Sequence, residues 1–150
     1  MPVGTNRSRP AKLLWVSWLL LYLAPTLPQS LILVYLAVGG AIGTLARYGL
    51  GTLITGFAGN AFPWGTLAIN VAGSFLLGLV AAVADRSLMS PEMRTVLGVG
   101  FCGAFTTFST FGLETVTLLR DGQAGRAVAY AGVSLVVGLL AVLAGLRVGG

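Results

Sequence analysis

The chain is poor in the groups that most enzymes use. In 150 residues it has no histidine, one cysteine, nine Lys or Arg residues and four Asp or Glu residues. The missing histidine excludes histidine-based acid/base and metal chemistry. The single cysteine, Cys102, excludes an intramolecular disulfide and a multi-cysteine metal site, and we expect it to be a small core residue. Because no nucleophile, base or cofactor motif is present either, we do not expect an enzyme.

Charged residues are scarce as well. They make up 9% of the chain, whereas 56% is hydrophobic and the mean hydropathy is +0.92. Soluble domains carry about 25% charged residues, so this chain cannot cover a water-facing surface, and we expect its main solvent to be lipid. The net charge of +5 would suit a nucleic-acid partner if the basic residues clustered among aromatic residues. They are scattered singly, so no nucleic acid is expected.

Long hydrophobic runs define the architecture. A helix that crosses the ~30 Å hydrocarbon core needs about 20 mainly apolar residues. Segments of sufficient length are residues 31–57, 64–84, 93–119 and 124–146. The 22 glycines favour helices that pack closely in a membrane. The sequence therefore predicts an all-α integral membrane protein with four transmembrane helices in one domain, residues 31–150.

Residues 1–30 form an N-terminal extension of uncertain status. A basic flank precedes an apolar run of about a dozen residues, and two prolines end that run. This pattern is typical of a signal-peptide start or an interfacial anchor, and the run is short for a membrane span. A fifth span and a start codon assigned too far upstream are the other interpretations, and the sequence does not decide among them.

The loop charges barely distinguish the two sides of the membrane. In a four-span protein, one side carries Arg86, Arg94 and Arg147, and the other carries Arg120 and Arg126. This difference is too small for the positive-inside rule to fix an orientation. The weak bias permits a protein that inserts both ways and pairs antiparallel.

Polar residues inside the first two helices are candidates for a pore. Arg47 lies deep in the first span, where a guanidinium must snorkel or find carbonyls or an anion. Capping of backbone carbonyls and contact with a transported ion are both open interpretations. In the second helix, Thr66, Asn70 and Ser74 recur at a spacing of four and share one face. The amide of Asn70 serves either an interhelical hydrogen bond or an anion pathway, where it offers N–H donors without a fixed charge.

The third segment is poor material for a continuous lipid-facing helix, because Gly, Thr and Ser alternate with Phe from Gly100 to Phe111. Interrupted helices are tolerated at membrane depth where the backbone lines a cavity, and the freed carbonyls can coordinate a cation. Phe108 and Phe111 lie on roughly one face. Their ring edges are positive and attract a small anion; packing is the alternative interpretation.

The fourth helix presents Tyr130, Ser134 and Gly138, again at a spacing of four. They either complete a polar track against the second or third helix or form a packing stripe.

Together these motifs resemble the bacterial fluoride channel family, also called CrcB or Fluc. The resemblance covers residues 31–147 and is carried by Gly39-Gly-x-x-Gly43-x-x-x-Arg47-Tyr48, Gly65-Thr66-Leu67-x-x-Asn70-x-x-Gly73-Ser74-Phe75 and Gly100-x-x-Gly103-x-x-Thr106-Thr107-Phe108-Ser109-Thr110-Phe111. The Thr-Phe-Ser-Thr-Phe run is the specific part. The extension before residue 31 has no counterpart in the family pattern, and Gly138 departs from it.

The resemblance implies an antiparallel, dual-topology homodimer in the bacterial cytoplasmic membrane, with the third helix broken mid-membrane. It implies passive export of fluoride, which lowers fluoride toxicity, and a structural sodium ion (Na+) at the dimer centre. The implied fluoride pore consists of Asn70, Phe108, Phe111, Ser109, Thr110, Tyr130 and Ser134. Arg47 would lie at a vestibule and Glu114 on a polar track, and main-chain carbonyls of Gly103 and Thr106 would hold the sodium.

Two other classes are less suited to the sequence. A small multidrug transporter also has four helices, but proton-coupled antiport needs a membrane-embedded carboxylate, and Glu114, near the end of the third helix, is the only candidate. A non-transporting assembly subunit needs only the small-residue stripes and leaves the run from Thr106 to Phe111 unexplained.

Overall fold

The computed structural model describes residues 28–150, and these form a bundle of helices. The elements are α1 (Gln29–Ala58), α2 (Trp64–Asp85), α3 (Pro91–Thr95), a π-helical segment (Val96–Cys102), α4 (Gly103–Phe105), α5 (Phe108–Arg120) and α6 (Ala124–Gly149). Within these residues, four helical stretches are long and apolar enough to cross a membrane, the third of them running from Pro91 to Arg120. The four predicted spans are confirmed. The interpretations of the N-terminal extension fall on residues that lie outside the described part, apart from its last three.

Local sequence signals set the helix ends. Pro63 directly precedes α2, where a missing N–H costs no helical hydrogen bond. Ser90 caps α3, since its hydroxyl accepts from the Met93 N–H at 3.2 Å. Gly59 and Gly122 turn the chain with φ values of 75° and 72°, in the left-handed region that glycine adopts without strain.

Glycines allow the helices to approach each other closely. A Cβ at Gly78 of α2 would collide with the carbonyl of Val142, and one at Gly145 of α6 with the carbonyl of Phe75. On the other side of the bundle, a Cβ at Gly43 of α1 would collide with a backbone carbonyl of the π-helical segment. The small residues thus pack backbone against backbone, as the sequence predicts.

The third span is not one regular helix. Its π-helical segment gives way to a single turn of α-helix, after which Thr106 (φ −85°, ψ 160°) and Thr107 (φ −149°, ψ 114°) are extended. The helix resumes at Phe108, and the Thr107 side chain caps its start by accepting from the Thr110 N–H. Two extended residues therefore separate the halves of this span.

Most of the apolar surface of the spans faces outward. The most apolar window of each span is only 11% to 28% buried inside the chain. Such helices expose their side chains to the hydrocarbon of the bilayer, and every backbone group must then be satisfied within the protein. The chain is accordingly a multi-pass integral membrane protein. The backbone groups of the two extended residues in the third span therefore need hydrogen-bond partners.

Candidate functional site

Asn70 of α2 satisfies the backbone groups of Thr107, one of the two extended residues in the third span. Its Nδ2 donates to the Thr107 carbonyl at 3.0 Å, and its Oδ1 accepts from the Thr107 N–H at 2.8 Å. The side-chain amide thus pairs with one extended residue through both its donor and its acceptor. Of the interpretations open for Asn70, the interhelical hydrogen bond is present, and one of its two N–H donors stays outside this pairing.

The interruption also changes the carbonyls on its N-terminal side. In a continuous α-helix the Thr107 N–H would bond to the Gly103 carbonyl and the Thr110 N–H to the Thr106 carbonyl. Here the Thr107 N–H is taken by Asn70, and the Thr110 N–H donates to Thr107 Oγ1 at 3.2 Å. The carbonyls of Gly103 and Thr106 therefore lack their usual helical partners.

A larger cleft of about 580 Å³ opens beside Thr107. Its polar lining consists of Arg47, Tyr48, Thr52, Thr55, Asn60, Thr66, Thr107, Thr110, Glu114, Thr117, Asp121, Gln123 and Arg126. The Nε atom of Arg47 is buried and has no hydrogen-bond partner among residues 28–150. A buried guanidinium N–H without a partner is costly, so an anion or water in this cleft would be stabilised beside it.

A carboxylate at the inner wall of the larger cleft is held by two hydroxyls. Thr66 Oγ1 donates to Glu114 Oε1 at 2.8 Å, and the Tyr130 hydroxyl donates to Glu114 Oε2 at 2.7 Å. Thr66 is 8% exposed and Tyr130 is completely buried. The three side chains come from α2, α5 and α6, so this cluster joins three helices by polar contacts.

A smaller cleft of about 360 Å³ shares Thr107 with the larger one and also includes Asn70. Its lining consists of Asn70, Gly73, Ser74, Leu77, Gly98, Cys102, Gly103, Thr106, Thr107, Phe108, Phe111, Ser134 and Leu135. The rings of Phe108 and Phe111 have centroids 5.7 Å apart and are tilted by 41°. Phe108 is 82% exposed, whereas Phe111 is half-buried and packs against Tyr130 with centroids 5.1 Å apart.

The structure brings most of the predicted residues to these clefts. Asn70, Phe108, Phe111, Ser134, Gly103 and Thr106 line the smaller cleft, and Arg47, Thr110 and Glu114 line the larger one. Tyr130 lines neither of them and contributes its hydroxyl to Glu114. Ser109 also lines neither, and its hydroxyl lies 3.3 Å from Thr107 Oγ1.

Sequence reasoning missed the role of Thr107, which lines both clefts and whose N–H and carbonyl pair with Asn70. The sequence does carry a signal for it, because threonine is a preferred N-cap residue and Thr107 directly precedes the helix that begins at Phe108. The contact between Thr66 and Glu114 joins residues 48 positions apart, and no local pattern announces such a contact.

The fold and the clefts define the class of this protein, a four-span membrane protein with uncharged donors and an aromatic pair at an interrupted helix. A model of the family described as CrcB-like protein, Camphor Resistance (CrcB), matches residues 34–146. The chain belongs to this family.

Relatives support the assignment along most of their length. The "Fluoride-specific ion channel FluC" of Thermus thermophilus is 48% identical over 114 residues, which is 76% of this chain and 91% of the relative. The protein of the same name from Acidobacterium capsulatum is 50% identical over 116 residues, 77% of this chain and 93% of the relative. The one from Agrobacterium fabrum is 51% identical over 114 residues, covering 75% and 91%.

Proposed function

We propose that this protein is a fluoride-selective channel that passively exports fluoride across the bacterial cytoplasmic membrane and so lowers its toxicity in the cell. The observation that carries the proposal is the smaller cleft, where Asn70, the Phe108–Phe111 pair and Ser134 line one space at the interrupted helix. The relatives named as fluoride-specific channels supply the identity of the ion.

The lining suits a small, strongly hydrated anion. A selective pore must replace the hydrogen bonds that water donates to fluoride. In the smaller cleft, the second N–H of Asn70 and the hydroxyl of Ser134 serve as such donors, and the edges of Phe108 and Phe111 present positively polarised C–H groups. None of these groups carries a charge that would trap the anion.

The larger cleft serves as the vestibule. Arg47 provides positive charge there, and its unpartnered Nε–H offers a donor to an arriving anion. Beyond it, Ser109 and Thr110 with Glu114 continue a polar track, in which Thr66 and Tyr130 hold the carboxylate with two hydrogen bonds. A hydroxyl that accepts a hydrogen bond can still donate its own O–H, so Thr110 Oγ1, which accepts from Thr107 Oγ1 at 2.9 Å, keeps a donor for an anion.

The functional unit is an antiparallel homodimer with two pores. Phe108 is 82% exposed in one chain, and the smaller cleft is open on that side, so the path lacks a wall that a second copy would supply. Opposite insertion of the two copies agrees with the small charge difference between the loops. In this assembly the interruption at Thr106 and Thr107 lies near mid-membrane.

The freed carbonyls suit a sodium ion at the dimer centre. Neutral carbonyl oxygens at a helix break are ligands for this cation in membrane proteins, and Gly103 and Thr106 have carbonyls without their helical partners. No cluster of His, Cys, Asp or Glu that could hold a metal occurs in the described part of the chain, so main-chain oxygens are the appropriate ligands. The ion supplies fixed positive charge close to the anion path.

Ion efflux from liposomes that contain the purified full-length protein tests the function. We expect release of fluoride without proton exchange and without release of chloride from matched chloride-loaded vesicles. Protein-free liposomes are the control for leak. A correctly folded dimer that releases no fluoride would contradict the proposal, and fluoride release that requires proton exchange would indicate a coupled transporter instead.

A further inference from the structure

We infer that Ser74 is a further residue of the ion pathway, a hydroxyl donor on the wall opposite Ser134. The inference deepens the proposed channel function and rests on it. Ser74 follows Asn70 by one helical turn on the same face of α2, and both side chains line the smaller cleft together with the Phe108–Phe111 pair.

The two serines face one space from different helices. Ser134 belongs to α6, and its Oγ is buried without a hydrogen-bond partner among the described residues. A buried hydroxyl among apolar side chains costs free energy unless a partner satisfies it. Leu77 and Leu135 are apolar neighbours in this cleft. An anion that reaches it therefore finds few hydrogen-bond donors besides the hydroxyls and Asn70.

The α6 wall offers nothing polar one turn beyond Ser134. Position 138 is a glycine, and a Cβ built there would lie 3.8 Å from Ser74 Oγ, at ordinary contact distance. Ser74 therefore occupies the level at which α6 has no side chain. At this level α2 supplies the hydroxyl for the pathway, and Gly138 leaves the room in which Ser74 can turn toward the ion.

Ser74 can also bond to a carbonyl of its own helix, as serines in helices commonly do. In that case it has no part in conduction. The two roles differ in what a compensating hydroxyl at position 138 would do, because only an ion-pathway role can be taken over from the opposite helix.

The first test is Ser74→Ala in the full-length protein reconstituted into liposomes. We expect fluoride efflux to fall by about tenfold or more, since one hydrogen bond to a charged group has at least the energy of a tenfold change in rate. Size-exclusion elution and the melting temperature of the dimer should stay as in the wild type. If Ser74→Ala does not fold, Ser74→Cys, which has nearly the same shape and a weaker S–H donor, should lower the efflux instead.

The second test separates donation from packing. Ser74→Ala combined with Gly138→Ser should regain most of the lost efflux, because the new hydroxyl stands beside the vacated position. Ser74→Ala combined with Gly138→Ala is the matched control, which adds the same Cβ without the hydroxyl, and it should remain slow.

The role of Ser74 would be overturned by unchanged efflux in Ser74→Ala or Ser74→Cys, or by equal recovery in the Gly138→Ser and Gly138→Ala combinations. The proposed channel function would stand after any of these results, because the wild type would still conduct. A wild type that releases no fluoride in the same vesicles would overturn the channel function and the inference with it.

Discussion

Asn70 combines a structural contact with Thr107 and the proposed role of a hydrogen-bond donor in the pore. Its amide replaces the helical partners that the extended Thr107 has lost, at 2.8 and 3.0 Å, and the residue lines the smaller cleft. A carboxylate cannot do both, since it accepts but does not donate when ionised. The amide is therefore the side chain that can both hold the interruption and serve an anion.

Asn70→Asp should impair both the contact with Thr107 and the anion path. The variant retains the oxygen that accepts from the Thr107 N–H, loses the donor to the Thr107 carbonyl and adds a negative charge beside the anion path. We expect fluoride efflux to be abolished and the dimer to lose about 1–3 kcal/mol of stability from the unsatisfied carbonyl, measured by efflux and thermal melting. Gln29→Glu, which adds the same charge at the exposed start of α1 and outside both clefts, should have a much smaller effect. Wild-type efflux in Asn70→Asp would exclude Asn70 from the pathway.

The aromatic pair yields a second prediction. Phe108→Ile keeps an apolar side chain and removes the positive ring edge, so efflux should be abolished or strongly reduced while dimers still assemble. Phe111→Ile should do the same and also reduce the melting temperature, since the Phe111 ring packs against Tyr130. Phe57→Ile is the control, because Phe57 is 86% exposed and lies at the end of α1. Unchanged efflux in both pore variants would mean that the pair only packs.

At the scale of the helices, the sequence predicted the spans but only part of the third one. Hydropathy is a local property, so the four spans follow from composition. The polar residues after Gly100 indicated an interruption, but its place depends on Asn70, which lies 37 residues from Thr107. The π-helical segment from Val96 to Cys102 has ordinary apolar residues, and no pattern within it distinguishes it from an α-helix.

The closeness of α2 and α6 can be tested at Gly145. A Cβ there would collide with the Phe75 carbonyl, and backbone cannot move aside as a side chain can. We expect Gly145→Ala to destabilise the protein by about 1–3 kcal/mol, as overpacking of a core does, with a lower melting temperature in detergent. Gly125→Ala in the same helix is the control, because a Cβ there meets nothing within 4 Å. It should be neutral or slightly stabilising, and an equal loss in both variants would show that helix flexibility, not contact, causes the effect.

At the scale of the whole molecule, the freed carbonyls of Gly103 and Thr106 predict a dependence on sodium. Replacing sodium by a large organic cation on both sides of the membrane should reduce fluoride efflux reversibly. Because the proposed ligands are main-chain oxygens, Thr106→Ser, which preserves the backbone and the hydroxyl that donates to the Cys102 carbonyl, should respond to sodium as the wild type does. Equal efflux with and without sodium would argue against the cation site.

The assembly is the property least accessible from one chain, because a second copy leaves no local pattern in the sequence. We expect insertion in both orientations because the loop charges on the two sides hardly differ. We expect pairing with a second copy because the smaller cleft is open and Phe108 is exposed. Single cysteines at Leu88 and at Asn60, each in a Cys102→Ala background, place thiols in the loops at opposite ends of α2. In intact cells, an impermeant maleimide should label about half of each variant, and permeabilised cells should show complete labelling. A single orientation would instead give full labelling of one variant and none of the other, because the two loops would then lie on fixed and opposite sides of the membrane.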